Sequence, residues 1–436
     1  MKRKQNITVP SLDALEQMLM QTAEAVATVD AHQHLGPEVP VQTDLCRLMV
    51  SDNYLATDLV SAGMTPALKE RIADMSRPLM ERWHLLAPFW KQVELSSYAQ
   101  AYWITLKELY GARTLAAEEL EPVSGRLTSD FSTPGIFQRV FCERCNIQTV
   151  LTQWGSYFAH AKPVFRNVAR PLDRADFSPG GMFESDTRSL GMELKTADDL
   201  VPAMDAILRI HHSRGAVGFK IYAIPWQPPE PAEWKHAFAR RGKPIDGYDN
   251  FKAKDFPLIR LYVSRIATLA AEFNIPVAVH TGAPWTNWLD FRAWEPTAII
   301  PLLSAFRDTH FDLYHAGVPY GTQASMLGKA FPNVWMNLTW THIVSAELAR
   351  RCITEWLDLV PLNKVIGFGG DYGQHNVVLT YGHLIMARRN IVSVLASRIH
   401  ARAMNQAKAE TILQSWFRDN PIQLYHLESV SRRMIA

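Results

Sequence analysis

Short runs of apolar and β-branched residues, each closed by a polar or charged residue, alternate along the chain with stretches whose apolar positions recur at helical spacing. Eight such runs stand out, over residues 28–34, 148–154, 164–170, 216–222, 276–282, 311–317, 334–340 and 365–371. Strands alternating with helix-sized segments mark βαβ units and a parallel sheet. Eight of them predict an α/β fold closed as a (β/α)8 TIM barrel. From the fifth run onward the spacing suits one strand, helix and loop, but well over a hundred residues separate the first run from the second. That interval carries helical patterns at 66–75 and 98–110, the latter stopped by Gly111. The organisation expected is therefore residues 1–35 as an N-terminal segment with the first strand, 36–145 as a helical insertion over the barrel mouth, and 146–436 as the rest of the barrel. The proline-rich and polar stretch 225–255 reads as a long loop over the same mouth.

Composition adds mainly exclusions. With 47% hydrophobic and 20% charged residues the chain is expected to fold throughout. A net charge of +2, with no basic stripe beyond the first four residues, gives no reason to expect nucleic acid or a membrane as partner. The N-terminal stretch lacks the apolar core of a secretory signal, so the expected location is cytoplasmic, the expected partner is a small-molecule substrate, and a homo-oligomer is compatible with the composition. Of the four cysteines, Cys142 and Cys145 have CxxC spacing, but no matching pair of ligands accompanies them, and they read as ordinary thiols near a helix end.

The chemistry collects at the strand ends. His32 and His34 close the first strand, and residues two apart on a strand point to the same face. The fifth, sixth and eighth runs end in His280, His315 and Asp371. In a barrel the C-terminal strand ends converge on one mouth, so these imidazoles and the carboxylate are expected to share a pocket suited to zinc or manganese. Lys220 ends the fourth strand. Arg170 ends the third and is suited to a substrate carboxylate. Trp154 and Trp340 fall near strand ends as candidate pocket lining.

This constellation resembles the amidohydrolase superfamily. The resemblance implies one divalent metal held by His32, His34, His280 and Asp371, with zinc preferred over manganese, and a polarising or metal-binding role for His315. A second metal bridged by a carboxylated Lys220 is the lesser expectation. Within the superfamily the long insertion, Ser51-Asp-Asn-Tyr54, Tyr381-Gly-His and Asp419-Asn-Pro are similar to the uronate isomerase branch, which places Tyr54 among the substrate-binding candidates. Two arginines of that branch are missing, one replaced by Gly373 and one absent after Tyr54, and His315 stands where the isomerases lack a histidine. The function expected is therefore hydrolysis of a small carboxylate-bearing substrate by a metal-activated water, with Asp371 as base and His315 stabilising the developing charge. Uronate isomerisation and non-oxidative decarboxylation are the alternatives.

Overall fold

The computed structural model describes residues 10–153, 164–241, 256–283 and 286–427. Its centre is a parallel sheet of eight strands in sequential order. They are β1 Thr28–Gln33, β2 Ile147–Thr152, β3 Phe165–Ala169, β4 Ala216–Tyr222, β5 Val277–His280, β6 Phe311–Tyr314, β7 Val334–Asn337 and β8 Val365–Ile366. Each falls inside or within a residue of its predicted run. The ring is drawn together between the last strand and the first by main-chain bonds from Ala31 N to Phe368 O, Asp371 N to His32 O and His34 N to Tyr372 O. The short β8 is thus continued by a glycine-rich segment that runs alongside β1 to the site.

Helix α1, Leu12–Ala25, is started by the Ser11 side chain, which accepts from Ala14 N. Between β1 and β2 lie six α-helices, α2 Leu45–Ser51, α3 Asn53–Ser61, α4 Pro66–Ala73, α5 Leu79–Val93, α6 Ser97–Tyr110 and α7 Ala117–Ser132, followed by a wider helical turn over Gln138–Arg144. The signals read from sequence operate here. Thr65 caps α4 with Pro66 in its first turn, and Gly111 ends α6 in the left-handed conformation at φ 63°. Inside the insertion a buried pair, Arg82 and Asp44, is held by two parallel side-chain hydrogen bonds, and the same Asp44 caps α2 through Arg47 N. One continuous hydrophobic core runs from the insertion into the barrel's helical layer. The two are joined most closely where α6 crosses the helix Leu379–His400. A Cβ on Gly382 would collide with the Ala101 carbonyl, and Gly382 N donates to Thr105 Oγ1.

The other end of the barrel is closed by the helix Asn420–Tyr425. Asn420 donates to the Leu362 and Val365 carbonyls, and the Tyr425 hydroxyl reaches Asp312 Oδ2 at 2.7 Å inside the barrel. Burial raises the Asp312 carboxyl to about 6.

One expectation changes. The stretch 225–255 is not one loop: Pro231–Ala239 is a helix with proline in its first turn, whose proline-rich approach masked the pattern from Trp234 to Phe238 that buries its inner face. Residues 242–255 lie outside the described residues. Cys142 and Cys145 stand at the end of a helical segment, Gln138–Arg144, and form no disulfide among the described residues, in keeping with the sequence reading. Among the described residues no helix is long and apolar enough to cross a membrane.

Candidate metal centre

Asp371 is the hub of the mouth. Its Oδ1 accepts from His32 Nε2 at 2.9 Å and His34 Nε2 at 3.0 Å, and its Oδ2 lies 4.0 Å from His315 Nδ1. Three site residues, His315, Trp340 and Asp371, hold positive φ of 68°, 62° and 62°. Such backbone costs non-glycine residues free energy and persists only where the surroundings enforce it. Here the enforcement is traceable group by group. Asp30 Oδ1 accepts from Gly370 N, Gln33 Oε1 accepts from Tyr372 N, and Trp340 N donates to the Gly369 carbonyl. The Tyr54 hydroxyl, delivered by α3, donates to the Asp371 carbonyl. Gly370 is required by this closeness, because a Cβ there would run into the Gln33 amide.

Burial decides the protonation states. Asp371 would be raised by burial alone, but the imidazole donors of His32 and His34 overrule it and hold the carboxylate ionised. Burial keeps His32 and His280 neutral, well below the ordinary histidine range, and lowers His315 to about 3. Neutral imidazoles beside an ionised carboxylate are the ligand forms a divalent cation requires. His32, His315 and Asp371 offer ligand atoms all within 4.8 Å of one another. His32 Nδ1 has no partner among the described residues. The donor set therefore fits a divalent metal.

His280, expected as a ligand, faces the cavity but meets His315 rather than Asp371, with its Nδ1 3.0 Å from His315 Nε2. His315, expected to act on substrate, is fully buried between that contact and the Thr339 carbonyl. The cluster gathered most closely on Asp371 is thus His32, His34 and His315, with His280 one hydrogen bond away.

A cavity of about 350 Å³ opens on this cluster, lined among others by Asp52, Asn53, Tyr54, Arg170, Lys220 and Tyr222. Arg170 sits where the sequence placed it, 2.9 Å from His34 Nδ1 and 2.8 Å from the Tyr222 hydroxyl, with Asp173 at 2.6 Å. Trp340, expected on the wall, is instead packed behind Tyr54 and against His315, with ring centroids 5.5 and 5.3 Å away. Trp154 lies outside the described residues. His375 and Asn376, which also line the cavity, were missed. Their signal was position alone, in the turn between the eighth strand and its helix, where barrel loops carry function.

Lys220 reaches the cavity with no hydrogen-bond partner for Nζ among the described residues, 3.9 Å from the Tyr314 ring centre. Burial lowers it to about 7, against the ordinary 10.5. Between those two values the unfolded chain holds a proton that the folded chain has released, so stability rises with pH across that window. Lys220→Met in the metal-free protein is expected to remove this rise, read as denaturant midpoints across the window. An unchanged slope in the variant would assign the rise elsewhere.

The amidohydrolase family profile matches residues 169–427 of the chain. No curated protein sequence matches it. Among solved structures, glucuronate isomerase from Caulobacter crescentus aligns with a TM-score of 0.79 at 16% identity, over 96% of this chain and 95% of that one. Uronate isomerase from Thermotoga maritima aligns at 0.76 and 14% identity, over 94% and 97% of the two chains. A protein from Lactobacillus casei described as a metal-dependent hydrolase aligns at 0.62 and 16% identity, over 95% and 99%. At these identities the likeness establishes a shared fold that extends through the insertion.

Proposed function

The chain belongs to the amidohydrolase family, and from that premise we propose that it is a metal-dependent enzyme interconverting the aldose and ketose forms of a small sugar acid. The observation that carries this reading is the part the insertion plays in the site. Asp52, Asn53 and Tyr54 form one wall of the cavity, and Tyr54 is bonded to the main chain of Asp371. Two solved structures that align over nearly the whole chain, insertion included, are named as glucuronate and uronate isomerases. The cavity volume suits a small ligand.

His32, His34, His280, His315 and Asp371 are the residues to hold the metal, which supplies Lewis-acid polarisation of a substrate oxygen when bound. The chain's own residues do the rest. Isomerisation takes a proton from the hydroxyl-bearing carbon next to the carbonyl, returns one to the carbonyl carbon and shifts the second proton between the oxygens, with no net change in atoms. Asp371, ionised and clamped, is the group to accept the carbon-bound proton. Arg170 brings positive charge to the β3–β4 side of the cavity, where a substrate carboxylate is stabilised, and Lys220 adds an amine beside it. The insertion contributes Ser51, Asp52, Asn53 and Tyr54 to the cavity lining.

Hydrolysis is the second reading, favoured by His315 at 4.0 Å from Asp371, an imidazole beside a base. Gly373, in place of an arginine expected to hold a sugar acid, points the same way. The test is to load the purified enzyme with zinc or manganese and incubate it with hexuronic acids in deuterated water. Ketose formation, with exchange at the carbon next to the carbonyl, is the expected result. Absence of both, alongside cleavage of an amide, ester or lactone of a carboxylic acid, would replace this reading with hydrolysis. Metal content is measured on the same preparations, and His32→Ala is expected to lose it.

A further inference from the structure

Two buried histidines stand outside the cluster on Asp371. His342 follows β7, and His383 lies in the helix Leu379–His400; both are inaccessible to solvent. Burial lowers His342 to about 4 and His383 well below the ordinary range, so each is a neutral ring with a single N–H. His342 gives its Nε2 proton to the Gly367 carbonyl at 2.9 Å, and His383 gives its Nδ1 proton to the Gly370 carbonyl at 3.2 Å. A carbonyl only accepts, which fixes the tautomers, and they are opposite.

The two carbonyls bracket the run Gly367-Phe368-Gly369-Gly370 that leads into Asp371. Three glycines in four residues leave this run the conformational freedom that the Asp371 geometry cannot tolerate. Packing does not account for His383. His383 Nε2 has no partner among the described residues, and its neighbours include the rings of Phe368 and Tyr372, at 5.1 and 5.9 Å, among which an apolar ring would bury no polar atom.

We propose that His342 and His383 are positioning residues, a pair of clamps of opposite tautomer that grip the two ends of the glycine run and set the Asp371 carboxylate in its working orientation. Neither touches substrate. Both act through the main chain. Outer contacts of this kind tune a metal site about 10-fold to 100-fold in affinity.

The opposite tautomers make the test specific. An asparagine amide nitrogen falls near the position of a histidine Nδ1, and a glutamine amide nitrogen near that of Nε2. His383→Asn and His342→Gln should therefore preserve the clamp, whereas His383→Gln, His342→Asn and His383→Phe should release it. Two readouts apply. In the metal-free protein, amide exchange of the segment 367–372 should speed up by about 10-fold or more in the releasing variants only. Zinc affinity, by competition with a chromophoric chelator, should fall about 10-fold to 100-fold in the same variants. Equal behaviour of Asn and Gln at both positions, or wild-type exchange in His383→Phe, overturns the proposal. Should His383→Phe fail to fold, the Asn and Gln comparison decides alone. A wild-type protein that binds no zinc would sink the metal reading, while the exchange pattern would still decide the clamp.

Discussion

Asp371→Asn is expected to lower turnover by about 100-fold to 10,000-fold while leaving the fold in place. Asparagine matches the carboxylate in size, and its oxygen still accepts from His32 and His34, so the clamped main chain around residue 371 has no reason to move. What is lost is the basic oxygen and the negative charge that favours a cation among neutral imidazoles. Metal content should therefore fall as well, and turnover should stay low when metal is restored by excess in the assay. The measurement is steady-state turnover on a hexuronate that the wild-type enzyme converts, with metal quantified and thermal unfolding recorded on the same samples. Near wild-type turnover in a metal-loaded Asn variant would remove Asp371 from the chemistry under either reaction.

The largest expected loss of stability lies away from the site. Arg82→Met strips the guanidinium from Asp44, which stays buried with the α2 cap bond from Arg47 N but without its counter-charge. Breaking one side of a buried pair costs about 3–5 kcal/mol, because the remaining ion keeps its desolvation penalty and loses its partner. The effect is read as a shift of the denaturant midpoint at unchanged slope. Replacing both members, Asp44→Asn with Arg82→Met, should recover part of the loss, since asparagine keeps the α2 cap without a charge. A loss below about 1 kcal/mol in the single variant would mean that Asp44 is hydrated and the pair is a surface feature.

Much of this architecture is legible in the sequence because barrel strands are buried on both faces and end abruptly in polar residues. That is why all eight strands, the insertion and the gathering of His32, His34, His280, His315 and Asp371 at one mouth could be placed. The helix Pro231–Ala239 was obscured because its approach is dominated by prolines, a loop signal that outweighs one short apolar face. Which histidine meets Asp371 was not readable either. His280 and His315 both end strands, and their order of approach depends on the left-handed turn at His315, a conformation that no residue type announces. Trp340 was misplaced for the same reason: a tryptophan at a strand end can face the mouth or pack behind it, and its positive φ turns the ring towards Tyr54. The outer clamps, Asp30, Gln33, His342 and His383, show no spacing rule because each meets its partner only through tertiary contact.

The helix Asn420–Tyr425 carries a consequence for how the protein is made. Tyr425 adds its hydrogen bond to that of Asn337 on Asp312 at the floor of the barrel, and the segment after β8 supplies partners to β1 along its edge. β1 must therefore wait for residues 368–372, and Asp312 for Tyr425, to be synthesised. Until then the nascent chain presents an open sheet edge and an apolar interior with a carboxylate at its base, the kind of surface that recruits chaperones and invites association between neighbouring polysomal chains. Yield in a cell should accordingly depend on translation speed and chaperone supply more than on the stability of the finished enzyme.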